Sequence, residues 1–225
     1  MSDADTTLAQ APASGPSAES LRERIPYQAG LLGVVTLLAT GLLVLADALT
    51  RGPIAERRAE DLTASLAQVI PASLHDNDLT ADALTVTDAE GAPVVIYRAV
   101  RDGTITGVAY QVRGNGYSGA IDVILGVDPA GRILGARVLA HAETPGLGDK
   151  IEAAKDDWIL AFDGLSLGEP PAERWVVKKD GGDFDQFSGA TITPRAVVGA
   201  IKGGLALFAD HRDALIAPPV RNIDH

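Results

Sequence analysis

The chain contains no cysteine and is poor in basic residues, and both absences narrow its function. With no cysteine among 225 residues, disulfides, thiolate metal sites, cysteine-ligated iron–sulfur clusters and c-type haem attachment are excluded. The 19 Lys and Arg residues face 30 Asp and Glu residues, for a formal net charge of −11. Because a phosphate backbone is bound by a basic surface, we predict no nucleic-acid partner. Any redox centre in this protein must be held by something other than a thiol.

One long apolar run stands near the N-terminus. From Ala29 to Ala46 the chain has 18 residues without a charge. A helix of this length reaches roughly 27 Å, close to the hydrocarbon thickness of a bilayer. We therefore predict one transmembrane helix over residues 25–50, with the lipid bilayer as a partner. The alternative is a cleaved signal peptide, since Ala46-Asp47-Ala48 resembles a cleavage site, but the run is longer than the roughly 7–15 residues of a signal h-region.

Charges beside the apolar run leave its orientation nearly undecided. Two arginines precede it and three follow it: Arg22 and Arg24, then Arg51, Arg57 and Arg58. The positive-inside rule places the more basic flank in the cytoplasm. This count leans slightly against an exported C-terminal domain.

The rest of the chain divides into three further parts. Residues 1–24 are rich in Ala, Ser, Pro and Thr without periodicity and are predicted to form a disordered tail. Residues 51–90 are predicted to be a membrane-proximal helical segment, because apolar positions recur at helical spacing over 54–69 before Pro71. The folded domain is predicted over residues 91–215.

The C-terminal part combines β-like runs with helical patterns. Runs rich in Val and Ile predict four strands of an antiparallel meander: Pro93–Val100, Thr104–Val112, Ala120–Val127 and Arg132–Leu139. The turn residues of Asp128–Gly131 join the last two strands. Three later elements are predicted, a helix, a short strand and a helix: Asp149–Phe162, Trp175–Lys178 and Pro194–Phe208. Strands with segregated helices indicate an α+β fold.

Two stretches resemble known motifs but lack the required context. Gly114–Gly119 satisfies G-x-G-x-x-G, yet a strand-like run follows it, so no helix N-terminus is available for a pyrophosphate. His141-Ala142-Glu143 resembles the start of a zinc-deaminase signature, but the partner cysteines are missing. We therefore predict neither a dinucleotide site nor a metal site.

The stretch before the last predicted helix favours an anion site. Small residues at positions 188–190 leave the hydroxyl of Thr191 accessible. Thr193 is predicted as N-cap and Pro194 as the first helical residue, so the free amides and positive dipole end point towards this turn. Such an end stabilises an exposed anion by about 0.3–1 kcal/mol. The alternative is an ordinary capped helix start with nothing bound.

Three of these stretches resemble one known family. They are GYSGAIDVILGVD from Gly116, HAETPGLGDKIE from His141 and VKKDGGDFDQFSGATITPRAVV from Val177. They are similar to the FMN-binding domain of the G subunit of the Rnf electron transport complex, also called RsxG, over about residues 25–210. The resemblance implies an electron-carrying subunit of a membrane-bound ferredoxin:NAD oxidoreductase that couples electron transfer to ion translocation. It also implies a soluble domain on the periplasmic side of the bacterial inner membrane and the other Rnf subunits as partners.

The resemblance further implies a covalent cofactor. In that family a flavin transferase joins FMN through its phosphate to the threonine that ends a pattern of Asp, two variable residues, Ser or Thr, Gly, Ala and Thr. In this chain the pattern falls on Asp185, Ser188, Gly189, Ala190 and Thr191. Thr191 is therefore the implied flavinylated residue. Weaker candidates for lining the flavin are Thr193, Lys178 and four residues of one glycine-containing loop, Glu143, Thr144, Gly146 and Leu147. No catalytic residue is predicted, because the chain needs only to position the flavin and tune its potential.

Two alternatives remain open. One is the C subunit of a sodium-pumping NADH:quinone reductase, which shares the single anchor and a threonine-linked FMN; the residues at 178–198 favour Rnf over it. The other is a membrane-tethered binding or assembly module without flavin. If protein produced together with the flavin transferase showed no yellow chromophore, the second alternative would be favoured.

Overall fold

The structure is a computed structural model that describes the backbone of residues 18–218. Side chains are described for residues 26, 28–49, 57 and 60–218. The chain divides into two compact units, Met1–Arg57 and Arg58–His225. The candidate site belongs entirely to the second unit.

The first helix contains the predicted anchor. Helix α1 runs over Ala18–Val69. Within it, Gln28–Leu49 is long and apolar enough to cross a membrane, with a mean hydropathy of 2.3, and none of it is buried by protein. This is the pattern expected of a helix that faces lipid. Of the tail predicted over 1–24, residues 1–17 lie outside the described residues and residues 18–24 are already helical.

The second unit is built on a five-stranded antiparallel sheet. Its strands follow chain order: β1 Ala83–Thr87, β2 Pro93–Arg101, β3 Thr104–Asn115, β4 Ala120–Val127 and β5 Ile133–Ala140. The predicted meander is confirmed. The predicted turn between β4 and β5 is confirmed as well, since the Asp128 carboxylate accepts from the amides of Ala130 at 2.8 Å and Arg132 at 2.9 Å.

Strand β1 was not predicted. It lies within residues 51–90, which were assigned to a helical segment, whereas α1 ends at Val69 and β1 pairs with β2 through Ala83↔Tyr97. Only alternate residues of β1 are half-buried, with Leu84 and Val86 packed on the core. An edge strand of five residues leaves a weak periodicity in the sequence.

Helix α2, Ile192–Leu215, covers one face of the sheet against β3 and β4. A Cβ at Gly114 would lie 2.6 Å from the carbonyl oxygen of Ala196, so glycine permits this close approach. The Tyr110 hydroxyl donates to the Gly204 carbonyl at 2.8 Å, and burial raises the pKa of Tyr110, which keeps it neutral. Although α2 is apolar and long enough to pass as a membrane span, it is a core helix.

The end of α1 covers the opposite face. Leu66 and Val69 pack with Ile124, whereas its neighbours Val123 and Leu125 face the α2 side, as alternation along a strand requires. A Cβ at Gly126 would lie 2.4 Å from the carbonyl oxygen of Val69. Residues 66–70 are therefore part of the folded unit.

Two predicted elements between β5 and α2 are wrong. The helix predicted over Asp149–Phe162 is two short 3₁₀ turns, Asp149–Ile151 and Asp157–Phe162. Between them Asp156 is extended, and its carboxylate accepts from the Trp158 amide at 3.0 Å, which starts a new turn instead of continuing a helix.

The strand predicted over Trp175–Lys178 is reduced to one bridge. Val177 pairs with Phe184 in an isolated parallel bridge, and Lys178–Asp180 is a 3₁₀ turn. Aromatic packing organises this region instead: the rings of Phe162 and Phe184 stack with centroids 4.7 Å apart. Trp175 and Val177 are buried here whereas Lys178 is exposed, and this alternation gives residues 175–178 their strand-like pattern.

Candidate functional site

Thr191 ends a tight turn in front of α2. The Ala190 amide donates to the Phe187 carbonyl at 3.1 Å, and Gly189 has φ +83°, which favours glycine. Thr191 is half-buried, and its side chain caps no amide of α2. Within residues 18–218 its hydroxyl makes no hydrogen bond. The hydroxyl is therefore available for chemistry at the amino end of a helix.

Thr193 has the opposite character. It was predicted as the N-cap of α2, and this prediction is wrong: α2 begins at Ile192 and Thr193 lies inside its first turn, fully buried. Its hydroxyl donates to Oε2 of the Glu143 carboxylate. The Thr193 hydroxyl therefore bonds to a residue 50 positions away along the chain. Local capping preferences predict instead that it bonds to an amide of the helix.

The loop between β5 and the first 3₁₀ turn lies beside the Thr191 turn. The Leu147 and Gly148 amides both donate to the Thr144 carbonyl at 3.1 Å, and Gly146 has φ +78°. The Leu147 side chain reaches to 3.8 Å from the position that a Cβ would take at Gly189. The structure therefore brings the predicted loop and the predicted attachment turn together.

Glu143 connects this loop to two other segments. It is 5% exposed, and besides Thr193 it accepts from the Ser118 amide at 2.9 Å through Oε1. Ser118 belongs to the turn between β3 and β4, which takes up residues 116–119 of the glycine-rich stretch, while Gly114 is still part of β3. Since each carboxylate oxygen accepts a hydrogen bond from another segment, the described contacts of Glu143 hold protein segments together.

Each of the three segments that Glu143 joins carries an exposed apolar side chain, and two of these side chains were not predicted from the sequence. Tyr117 is 73% exposed, Leu147 45% and Ile192 44%. Ile192 follows Thr191 directly, and Tyr117 precedes the Ser118 amide that contacts Glu143. Exposed apolar side chains on segments that meet near a reactive group are typical of a surface that receives an apolar or aromatic ligand. No sequence pattern distinguishes such residues from ordinary core positions.

Lys178 and Asp185 lie together on the segment before the turn. The Lys178 ammonium is 2.6 Å from the Asp185 carboxylate, and both side chains are more than half exposed. The nearby Asp180 carboxylate binds the Arg195 guanidinium through two contacts, at 2.7 and 2.9 Å, and Arg195 lowers the pKa of Asp180. This pair ties the segment to the first turn of α2. Because an ammonium has three donors, the exposed Lys178 can contact an anion while it keeps Asp185.

A polar network supports the loop from its other side. The Glu143 amide donates to Nδ1 of His141 at 3.0 Å, so the Nε2–H of His141 donates to Glu152 at 2.7 Å. Lys155 also binds Glu152 at 2.7 Å and Asp149 at 3.0 Å. Lys155, and then His141, lower the pKa of Glu152. The loop is thus fixed at its start while Leu147 stays exposed.

Known proteins are similar in sequence to the part of the chain that holds the site. A family model for the FMN-binding domain matches residues 116–206, which hold every segment described above. The G subunit of the ion-translocating oxidoreductase complex of Cereibacter sphaeroides is 59% identical to this chain, over 85% of this chain and 88% of that protein. The chain belongs to the family of these G subunits. The corresponding protein of Stutzerimonas stutzeri is 51% identical over 85% of this chain and 84% of its own length.

Membership of the G subunit family confirms the resemblance and the α+β fold predicted from the sequence. Among solved structures, NqrC of Shewanella oneidensis matches with a TM-score of 0.44 and 24% identity, over 62% of this chain and 74% of that one. The G subunit relatives, far more similar over most of the chain, decide the family. None of these matches assigns a role to a single residue, so the roles of the site residues stay predictions.

Proposed function

We propose that this chain is the membrane-anchored flavoprotein subunit of an Rnf-type complex, and that it carries electrons on FMN joined to Thr191 by a phosphoester. The observation that carries the proposal is the Thr191 hydroxyl, which is unbonded within the described residues and stands at the start of α2 in an FMN-binding domain. A redox group attached in this way needs no cysteine, in keeping with the composition.

The residues present fit such a group. Ser188 and Gly189 are exposed, so a phosphate can approach Thr191 closely. The amino end of α2 supplies a positive dipole end for the remaining phosphate charge. Leu147 and Ile192 offer exposed apolar surface to a flavin ring. Bound FMN supplies reversible electron transfer, and the chain holds and orients it.

The attachment is a group transfer made by a flavin transferase. A bond forms between Oγ1 of Thr191 and the phosphorus of FMN, and the bond between that phosphorus and the leaving group of an activated flavin donor breaks. A base on the transferase accepts the proton of the Thr191 hydroxyl. The chain gains the mass of FMN less water. Its own contribution is to present the hydroxyl from a fixed backbone.

We also propose that Gln28–Leu49 crosses the bacterial inner membrane once and that the flavin domain lies on the periplasmic side. The hydropathy and exposure of this segment support a span. The flanking arginines are nearly balanced, so the resemblance to the Rnf family carries the orientation. The remaining partners are the other membrane and peripheral subunits, which deliver and accept the electrons.

The test uses the complex from native-host membranes, purified through a tag on the full chain. We expect wild type and a Thr85→Val control, which removes an exposed hydroxyl on β1, to carry covalent flavin and support ferredoxin-dependent NAD reduction. Thr191→Val should assemble with the same subunits but lose the flavin and the activity. Unchanged activity in an assembled Thr191→Val complex would contradict electron transfer through this flavin, and wild type without flavin would favour the binding module.

A further inference from the structure

We infer that Glu143 is a positioning residue for flavin attachment: its buried carboxylate fixes the first turn of α2, and with it Thr191, against the β3–β4 turn. The inference rests on the proposed function and deepens it. It assigns Glu143 a role other than lining the flavin directly, which stays a prediction from the sequence.

The carboxylate of Glu143 joins three segments that are distant in sequence. Oε1 accepts from the Ser118 amide, 25 residues before it, and Oε2 accepts from the Thr193 hydroxyl, 50 residues after it. Among the described residues no cationic side chain forms an ion pair with this carboxylate. A buried carboxylate depends on its hydrogen bonds, and losing a donor costs more than a surface contact would. The two donors are therefore held firmly in place.

Glycines make room for the carboxylate. A Cβ at Gly116 would lie 2.4 Å from Oε1 of Glu143. A Cβ at Gly148 would lie 2.9 Å from Oγ1 of Thr193 and 3.0 Å from Oε2 of Glu143. Both positions are closer than real side chains approach, so each segment reaches Glu143 only because it has glycine there. The close fit at both glycines agrees with the two hydrogen bonds of this carboxylate.

The position of Thr191 depends on the backbone around it. Its own hydroxyl makes no bond within the described residues, while its carbonyl accepts from the Arg195 amide at 3.3 Å. Thr193, two residues further on, is the buried contact that holds this part of α2 to the loop. A shift of the first helical turn moves the Thr191 hydroxyl with it. Displacements of about 1 Å at a reacting group can cost on the order of 100-fold in rate.

The experiment measures the initial rate of flavin attachment to the full chain in detergent, purified from a host without the transferase. Purified transferase and flavin dinucleotide are added, and covalent flavin is read as fluorescence of the denatured chain at several chain concentrations. We expect Glu143→Ala and Thr193→Val to lower kcat about ten-fold or more with little change in KM. Thr193→Ser should keep the wild-type rate, because it keeps the hydroxyl. Glu143→Gln should lie between, since the amide accepts from Ser118 and donates to Thr193.

Tyr110→Phe is the matched control, because it removes a buried hydrogen bond to the same helix away from the site. We expect it to lower thermal stability without lowering kcat. An attachment rate for Glu143→Ala within two-fold of wild type would overturn the inference, as would equal slowing by Tyr110→Phe. If Glu143→Ala does not fold, equal rates for Thr193→Val and Thr193→Ser would overturn it. Wild type that takes up no flavin would refute the proposed function, and this inference with it.

Discussion

The turn over residues 188–191 and the first turn of α2 are adjacent in sequence and differ in how tightly they are held. In the first, Thr191 is half-buried with no hydrogen bond to its hydroxyl inside the described chain. In the second, Thr193 is fully buried and bonded to Glu143. Two threonines only two residues apart therefore have different roles. One hydroxyl is left available, and the other fixes the backbone that presents it.

The tight side of this comparison is a closed cluster formed by Glu143, Thr193 and the backbone of Gly116, Ser118 and Gly148. The open side carries exposed residues instead, including Ser188 and Ile192. Enzymes and carriers that bind a group covalently need both properties, because a reactive atom must be accessible and still held in one place. The comparison is tested by variants that disturb the closed cluster or remove one of the two threonine hydroxyls.

The largest expected effect comes from filling the closed cluster. Gly116→Val places side-chain atoms where Glu143 now lies, so we expect a loss of about 3 kcal/mol or more in the free energy of unfolding. Denaturant titration of the full chain in detergent measures it. Gly168→Ala is the control, since a Cβ there meets nothing within 4 Å. Equal stability of the two variants would show that the cluster is not closed.

A smaller effect distinguishes the two threonines directly. Thr193→Val leaves the buried Glu143 carboxylate without one donor and should lower the free energy of unfolding by about 1–3 kcal/mol. Thr191→Val removes no hydrogen bond found in the described residues and should stay within about 0.5 kcal/mol of wild type. The measurement is urea denaturation of protein without flavin. The comparison fails if Thr191→Val is the more damaging change.

The smallest effect concerns the network behind the loop. Lys155, and then His141, lower the pKa of Glu152 from its ordinary value of 4.5. A lowered folded-state pKa contributes stability above that value, and this stability is lost as pH falls through the folded-state pKa. We expect Lys155→Met to lower Tm at pH 7, with the difference from wild type shrinking below pH 4.5. Because Lys155 is substantially exposed, the Tm difference should be small. A difference independent of pH would contradict an electrostatic origin.

The sequence predicted the parts of the fold that local patterns determine. Strands β2 to β5 follow from alternating β-branched residues and turn residues such as Asp128, and α2 follows from its helical period. The N-cap assignment failed because Thr193 bonds to Glu143, far away in sequence. The helix over 149–162 failed because Asp156 caps a new turn within it. Rules based on neighbouring residues do not include hydrogen bonds to residues that are distant in sequence, nor a capping residue inside a helical pattern.

The candidate site was predictable in a similarly uneven way. The family pattern indicated Thr191 and the loop 143–147, and the structure brings the two together through Leu147 and Gly189. Tyr117 and Ile192 were not predicted, because their exposure depends on how three segments meet. The change in the expected role of Glu143 likewise required its two hydrogen-bond partners to be known.

The most direct test of the account is the intact mass and fragment map of the full chain from its native host, compared with Thr191→Ala. The account predicts an added mass of FMN less water, confined to the tryptic peptide of residues 180–195 and assigned by fragmentation to Thr191. That peptide also contains the hydroxyls of Ser188 and Thr193, so fragmentation shows which of the three residues carries the flavin. An unmodified Thr191 in a host that possesses the transferase, or flavin retained by Thr191→Ala, would contradict the account.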